Sequence, residues 1–108
     1  MSPRNRLKRL RMGGRTWTLG YLPSASMDGA AGLCHLGAEH IDIDATQSAF
    51  DETDTVIHEV MHAILYCQGR PHGGKTEETY VRALATGLTT VLYDNPEFAK
   101  WLLTRTPK

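Results

Sequence analysis

The stretch TVIHEVMHAIL, residues 55–65, decides how this chain is organised. It places His58 and His62 four residues apart, with Glu59 directly after the first histidine. Residues at this spacing lie on the same face of an α-helix, about one turn from each other. The remaining positions are mostly apolar, which predicts a helix that is buried over most of its circumference. Polar side chains in such a helix need partners, because an unpaired buried polar group costs roughly 1–3 kcal/mol.

A shared metal ion would give both histidines a partner. Zinc binds neutral imidazoles and carboxylates, and catalytic zinc sites keep one position open for water. The spacing therefore predicts a Zn²⁺ site with His58 and His62 as ligands. Glu59 is expected beside the water as general base, because zinc lowers the pKa of that water towards about 7. The alternative, two histidines with ordinary hydrogen bonds, is disfavoured by the apolar surroundings.

The third ligand is expected from the next predicted helix, which begins with the acidic pair Glu77 and Glu78. Both lie close to the apolar stripe of that helix, so its periodicity does not separate them. Acidic residues in a first turn are also ordinary partners of the helix dipole. His72, in the preceding loop, is an alternative ligand. The sequence leaves this choice open.

Three helices are predicted around and after the motif. The first covers about 51–68, with Asp51 or Thr53 as its N-cap and Gly69 after its end. The second covers about 76–93. A third, short helix follows Asn95, because proline at position 96 suits the first position of a helix.

The residues before the motif are typical of strands. The segments 15–23, 33–36 and 40–44 are rich in β-branched or aromatic residues, or alternate apolar with polar side chains. The last two are expected to form a hairpin. Ile41 and Ile43 would face the core. Strands followed by helices predict an α+β fold, with an antiparallel sheet of about three strands packed on the helices.

Composition limits the class of protein. The 108 residues are 41% hydrophobic and 22% charged, which is typical of one globular domain. No apolar run approaches the roughly 20 residues that cross a bilayer, so no membrane partner is expected. Two cysteines, Cys34 and Cys67, do not make a disulfide framework, and a cytoplasmic location is expected.

Positive charge is concentrated at the N-terminus, since residues 1–27 contain six basic residues and no acidic ones. These residues are Arg4, Arg6, Lys8, Arg9, Arg11 and Arg15. Residues 1–14 are interpreted as a flexible basic leader, and 15–108 as a single domain. A basic arm of this kind suggests a nucleic-acid-binding accessory protein as an alternative function, although no aromatic residues alternate with its charges.

Three segments together resemble a known family: GLCHLGAEHIDID (32–44), the motif 55–65, and EETYVRALATGLTTVLYDNPEF (77–98). They are similar to small zinc metallopeptidase-like proteins of phages and prophages, which are related to ImmA/IrrE-type metallopeptidases and minimal gluzincins. The similarity covers roughly residues 30–102. This chain has Met61 where ImmA/IrrE-type proteins often have glycine, and Thr79 and Tyr80 where they usually have alanine and asparagine.

The resemblance implies an α+β metallopeptidase of a bacterial or phage-infected cytoplasm. His58 and His62 would be zinc ligands, Glu59 the general base, and Glu77 or Glu78 the third ligand. It also implies a hairpin whose outer strand holds an extended peptide, and the strand around Ile41 and Ile43 is the expected docking strand. Besides this endopeptidase function, a non-hydrolytic zinc module that stabilises the fold or a partner surface stays open.

Overall fold

The computed structural model describes residues 5–70 and 72–105, in which four strands are followed by three helices. The strands are β1 (Arg9–Met12), β2 (Arg15–Leu22), β3 (Gly32–His35) and β4 (His40–Asp44). The helices are α1 (Ala49–Cys67), α2 (Gly74–Asp94) and α3 (Pro96–Thr104). The predicted α+β class is confirmed.

The sheet is mixed rather than antiparallel, and its strand order is β1-β2-β4-β3. β1 pairs with β2 and β3 pairs with β4 in antiparallel fashion, whereas β2 and β4 run parallel. The predicted hairpin of β3 and β4 is present. Its second strand, β4, is an interior strand of the sheet and lies next to β2. The strand order depends on the crossover connection that places β4 parallel to β2. The pattern of apolar and polar residues within a strand does not show which strand it pairs with.

The fourth strand, β1, lies within the stretch that was predicted to be a flexible leader. Gly13 and Gly14 connect it to β2 with φ angles of 59° and 75°, as a two-residue hairpin turn requires. Leu10 and Met12 pack against the core. The domain therefore begins at least six residues before its predicted boundary at residue 15. Arg4 lies outside the described residues.

The core lies between the sheet and α1. Trp17 of β2 and Ile41 and Ile43 of β4 are fully buried and pack against Ala63 of α1. The absence of a large side chain at Ala63 lets the helix lie close to the sheet, which brings the whole motif against β3. α1 is less buried than predicted, because Ile64 is 42% exposed on a side that neither the sheet nor α2 covers.

The helix ends differ slightly from the prediction. Ser48 caps α1 by accepting a hydrogen bond from the backbone N–H of Asp51, so the helix begins two residues early. α2 begins at Gly74 and α3 at Pro96. The side chain of Asn95 does not cap α3 and donates instead to the carbonyl of Val91. No helix in the described ranges is both long and apolar enough to cross a membrane.

The face of the sheet opposite α1 carries a network of polar side chains. Asp42 accepts hydrogen bonds from Nε2 of His40 at 2.8 Å and Nε2 of His35 at 2.9 Å. Nδ1 of His40 lies 2.6 Å from Oγ1 of Thr18. Burial raises the pKa of Asp42, but the hydrogen bonds and charges of the two histidines together lower it below its ordinary value.

This pKa makes stability depend on pH. A carboxyl with a lower pKa in the folded chain stabilises it at pH values above the unfolded-state pKa of about 3.9, and that stabilisation disappears as pH falls through the folded-state pKa. We expect Asp42→Asn to lower the Tm at about pH 6 and to leave it nearly unchanged at about pH 2. Thermal unfolding of both proteins measures this. Asp94→Asn, at the exposed end of α2, is the control; an equal Tm difference for Asp42→Asn at both pH values would contradict the prediction.

Candidate metal centre

Three side chains from α1 and α2 converge on one point. His58, His62 and Glu78 each offer a ligand atom, and these atoms all lie within 4.8 Å of one another. The two histidine Nε2 atoms are 3.3 Å apart, and Nε2 of His62 is 3.3 Å from Oε2 of Glu78. Nε2 of His58 is 2.6 Å from Oε1 of Glu78. This cluster could hold a metal ion.

The spacing of these atoms fits a tetrahedral ion. Two ligand atoms bound to one zinc at about 2.0–2.1 Å are separated by about 3.3 Å in tetrahedral geometry. The two imidazole nitrogens, 3.3 Å apart, agree with that value, and so does the distance from Nε2 of His62 to Oε2 of Glu78. The shorter contact of 2.6 Å joins Nε2 of His58 to the other carboxylate oxygen, Oε1. Oε1 of Glu78 is moreover buried and accepts no hydrogen bond, although Nε2 of His58 lies 2.6 Å from it and the guanidinium of Arg82 3.6 Å from it. A cation at the centre would satisfy this oxygen and both imidazoles.

The structure separates the two acidic candidates for third ligand. Glu77 points to the other ring nitrogen of His62, with Oε2 at 2.5 Å from Nδ1. Its Oε1 accepts hydrogen bonds from the backbone N–H groups of His72 and Gly73, at 2.8 and 2.9 Å. Glu78, and not Glu77, belongs to the cluster. The side chain of His72 is not part of it either.

Glu77 orients the ring of His62 and favours one of its two neutral tautomers. The hydrogen bond from Gly73 is the largest of the effects that lower the pKa of Glu77, and His62 adds to it. Because Glu77 is then an acceptor, Nδ1 of His62 carries the proton, and Nε2 presents its lone pair to the cluster. A carboxylate behind a histidine ligand is a common arrangement at metal sites.

His58 and Glu59 have pKa values shifted by burial. Burial lowers the pKa of His58, and the charge of His62 adds to this against the opposing effect of Glu78, so His58 is favoured in the neutral form that binds metals. Glu59 is only 7% exposed, and burial is the largest effect raising its pKa. Its Oε2 is 4.0 Å from Nε2 of His58, adjacent to the cluster but outside it.

The start of β3 passes close to Glu59, and this approach requires a glycine. A Cβ atom at Gly32 would lie 2.6 Å from Cγ2 of Thr55 and 3.0 Å from Cγ of Glu59. The contact with Thr55 is shorter than packed side chains allow, and the contact with Glu59 would require that side chain to shift. Gly32 therefore permits the backbone of an edge strand to approach Glu59, the residue predicted to be the general base.

A cleft of about 590 Å³ opens beside the cluster. The backbone of residues 29–32 forms one wall, and α1 and α2 form the other. Asp54, Arg82 and Thr86 also line it, and Thr86 donates a hydrogen bond to Asp54 at 2.9 Å. The sequence interpretation missed these residues, although spacing could have indicated them. Asp54 precedes His58 by one helical turn, and Arg82 follows Glu78 by one turn.

The predicted docking strand is wrong. β4 is paired on both sides, with β2 and with β3, so its backbone cannot accept another strand. Ile41 and Ile43 are fully buried. Within the described residues, β3 is the edge strand next to the cleft.

Several basic residues of the N-terminal stretch make contacts with the rest of the domain, although Arg11 and Arg15 are exposed. Arg6 pairs with Glu52 at 3.0 Å and donates to the carbonyl of Ala45. Arg15 forms an ion pair with Glu39. Arg11 donates hydrogen bonds within the hairpin of β1 and β2. These contacts give the arginines a structural role and weaken the argument for a free nucleic-acid-binding arm.

Comparison with protein-family models, curated proteins and solved structures gives no match. The resemblance to phage-type zinc metallopeptidases therefore rests on the motifs quoted above.

Proposed function

We propose that this chain is a zinc-dependent endopeptidase domain. The observation that carries the proposal is the position of Glu59, which is buried beside a convergent His58, His62 and Glu78 triad and borders an open cleft. Three protein ligands of this kind are typical of catalytic zinc sites, in which a fourth position is left for water.

The reaction would be hydrolysis of a peptide bond. Bound zinc would lower the pKa of the attacking water and polarise the scissile carbonyl. Glu59 takes one proton from that water while the water oxygen forms a bond to the carbonyl carbon. As the carbon–nitrogen bond breaks, Glu59 passes the proton to the departing amine. The raised pKa of Glu59 suits a group that must both accept and release a proton.

The substrate would be an extended segment of protein. We infer that it adds to the outer edge of β3, because that strand borders the cleft and reaches Glu59 at Gly32. Cys34 and Cys67 are both free thiols, which supports our proposal of a reducing compartment such as the bacterial or phage-infected host cytoplasm.

A structural zinc module is the second candidate. The triad joins α1 to α2, and only Val81, Ala85 and Thr89 of α2 are buried. A metal bridge would therefore add an attachment between two helices that share a small apolar contact.

Metal removal tests the endopeptidase. Protein purified without chelators is expected to contain about one zinc per chain and to cleave fluorescently labelled, unfolded casein. Chelation should abolish cleavage, and one equivalent of zinc should restore it. Fragment masses identify the cleaved bonds. Zinc-loaded protein that leaves casein, insulin B chain and a random peptide library intact would contradict the proposed peptidase and favour the structural module.

A further inference from the structure

An apolar groove of about 480 Å³ runs between α1 and α2. Met61 and Ile64 line it from α1, and Tyr80 and Leu84 line it from α2. It is distinct from the metal cleft. Ile64, Tyr80 and Leu84 are all exposed, although they are large apolar side chains.

The groove and the metal cleft lie on opposite sides of the contact between the two helices. Val81 and Ala85 are the buried residues that mark this contact on α2. Arg82 lies on one side of them and lines the metal cleft, whereas Leu84 lies on the other side and lines the groove. An occupant of the groove would therefore leave the cleft open.

α3 is an amphipathic helix that buries none of its residues. Its apolar stripe consists of Phe98, Trp101 and Leu102, at positions i, i+3 and i+4. Trp101 is 51% exposed, although its ring stacks on that of Phe98. A short helix with such a stripe gains most of its stability from packing against a partner.

We propose that this chain forms a two-fold symmetric dimer. In it, α3 of each copy docks in the groove of the other copy. Insertion of an amphipathic helix into an apolar groove is a recurring mode of recognition, with anchors spaced as they are on α3. A reciprocal exchange uses the same two surfaces in each chain and closes at two copies.

The position of α3 explains why a second copy is needed. The groove lies near the N-terminal end of α2, and α3 leaves the C-terminal end. Leu84 and Asp94 are separated by about 15 Å along a helix axis. In its own chain no residue of α3 lines the groove, and the main packing partner of α3 is α2.

The exposed area matches that of a dimer interface. Eight large apolar side chains on the groove, α2 and α3 are between 37% and 67% exposed. They are Ile64, Tyr80, Leu84, Leu88, Val91, Phe98, Trp101 and Leu102. Three of them are aromatic, with about 150–250 Å² of surface each, and all eight are roughly half exposed. Together they present several hundred Å², on the order of the roughly 800 Å² that each partner buries in an interface of standard size.

The molar mass of the whole chain tests the dimer. Sedimentation velocity from about 1 to 100 μM is expected to show a dimer for the wild type and for two control variants, Leu103→Glu and Ala83→Lys. Leu103 is 86% exposed but lies off the stripe of α3, and Ala83 lies on the outer side of α2. Trp101→Glu and Leu84→Lys should each be monomeric. Circular dichroism confirms that the variants are folded.

Mixing the two monomeric variants tests the mode of docking. The unchanged α3 of the Leu84→Lys chain can enter the unchanged groove of the Trp101→Glu chain. In the second contact, the glutamate introduced at position 101 meets the lysine introduced at position 84, and their charges are opposite. A mixed dimer is therefore expected. The inference is overturned by a monomeric wild type, by stripe or groove variants that still dimerise, or by a mixture that stays monomeric. A monomeric wild type that binds lipid vesicles would instead assign this face to a membrane surface.

Discussion

Replacement of Glu59 by glutamine is expected to lower peptide hydrolysis by about 10²–10⁴-fold, the usual contribution of a positioned general base. Glutamine has nearly the same shape but cannot accept a proton from water. Because Glu59 lies outside the ligand cluster, the variant should still bind one zinc per chain. Initial rates on labelled casein and zinc content by elemental analysis measure the two properties separately.

Glu97→Gln, an exposed change on α3, is the matched control and should cleave at the wild-type rate. Two results would contradict the proposed role of Glu59. Full turnover in Glu59→Gln would show that another group moves the proton. A variant that loses zinc together with activity would show that Glu59 supports the metal rather than the reaction.

The neighbouring variants Glu78→Gln and Glu77→Gln are expected to differ strongly in zinc affinity. Glu78→Gln removes a charged ligand and leaves two imidazoles, so its affinity should fall by more than about 100-fold. Glu77→Gln removes the negative charge behind His62 and leaves one acceptor oxygen where the carboxylate has two, which contact His62 and the backbone of residues 72–73. Losses of about 10- to 100-fold are typical when such a partner of a histidine ligand is changed. Competition with a chromophoric chelator at fixed pH measures both.

The two variants control for each other, because each converts one glutamate to glutamine in the same helical turn. If Glu77→Gln lost more zinc affinity than Glu78→Gln, Glu77 would be the ligand, and the assignment drawn from the geometry would be reversed. Equal affinities for both variants and the wild type would mean that the metal binds elsewhere.

The sequence was sufficient for the part of the site that lies on one helix. The spacing of His58, Glu59 and His62 determines their relative positions once the segment is helical. The third ligand required tertiary structure. Glu77 and Glu78 differ by about 100° of helical rotation, and both border the buried stripe. The choice between them depends on the loop before α2, whose backbone N–H groups hold Glu77.

The sheet, too, was predicted only as far as its features are local in sequence. The alternation of apolar and polar residues identified β4, the β-rich composition identified β2, and the turn before β4 identified β3 as its hairpin partner. β1 was missed, since its exposed face carries Arg9 and Arg11, whose charges suggested a solvated arm. The interior position of β4 results from a parallel pairing with β2, and pairing between distant strands leaves no mark within either strand.

The hydrogen bonds of Glu77 connect the metal cluster to the loop that precedes α2. One carboxylate oxygen contacts His62, and the other holds the backbone of residues 72–73. Coupling between two equilibria is reciprocal, so if the cluster binds a metal, the loop held by Glu77 would favour binding by the same free energy with which binding favours that loop conformation. A substitution near Gly73 would then change the metal affinity without replacing a ligand.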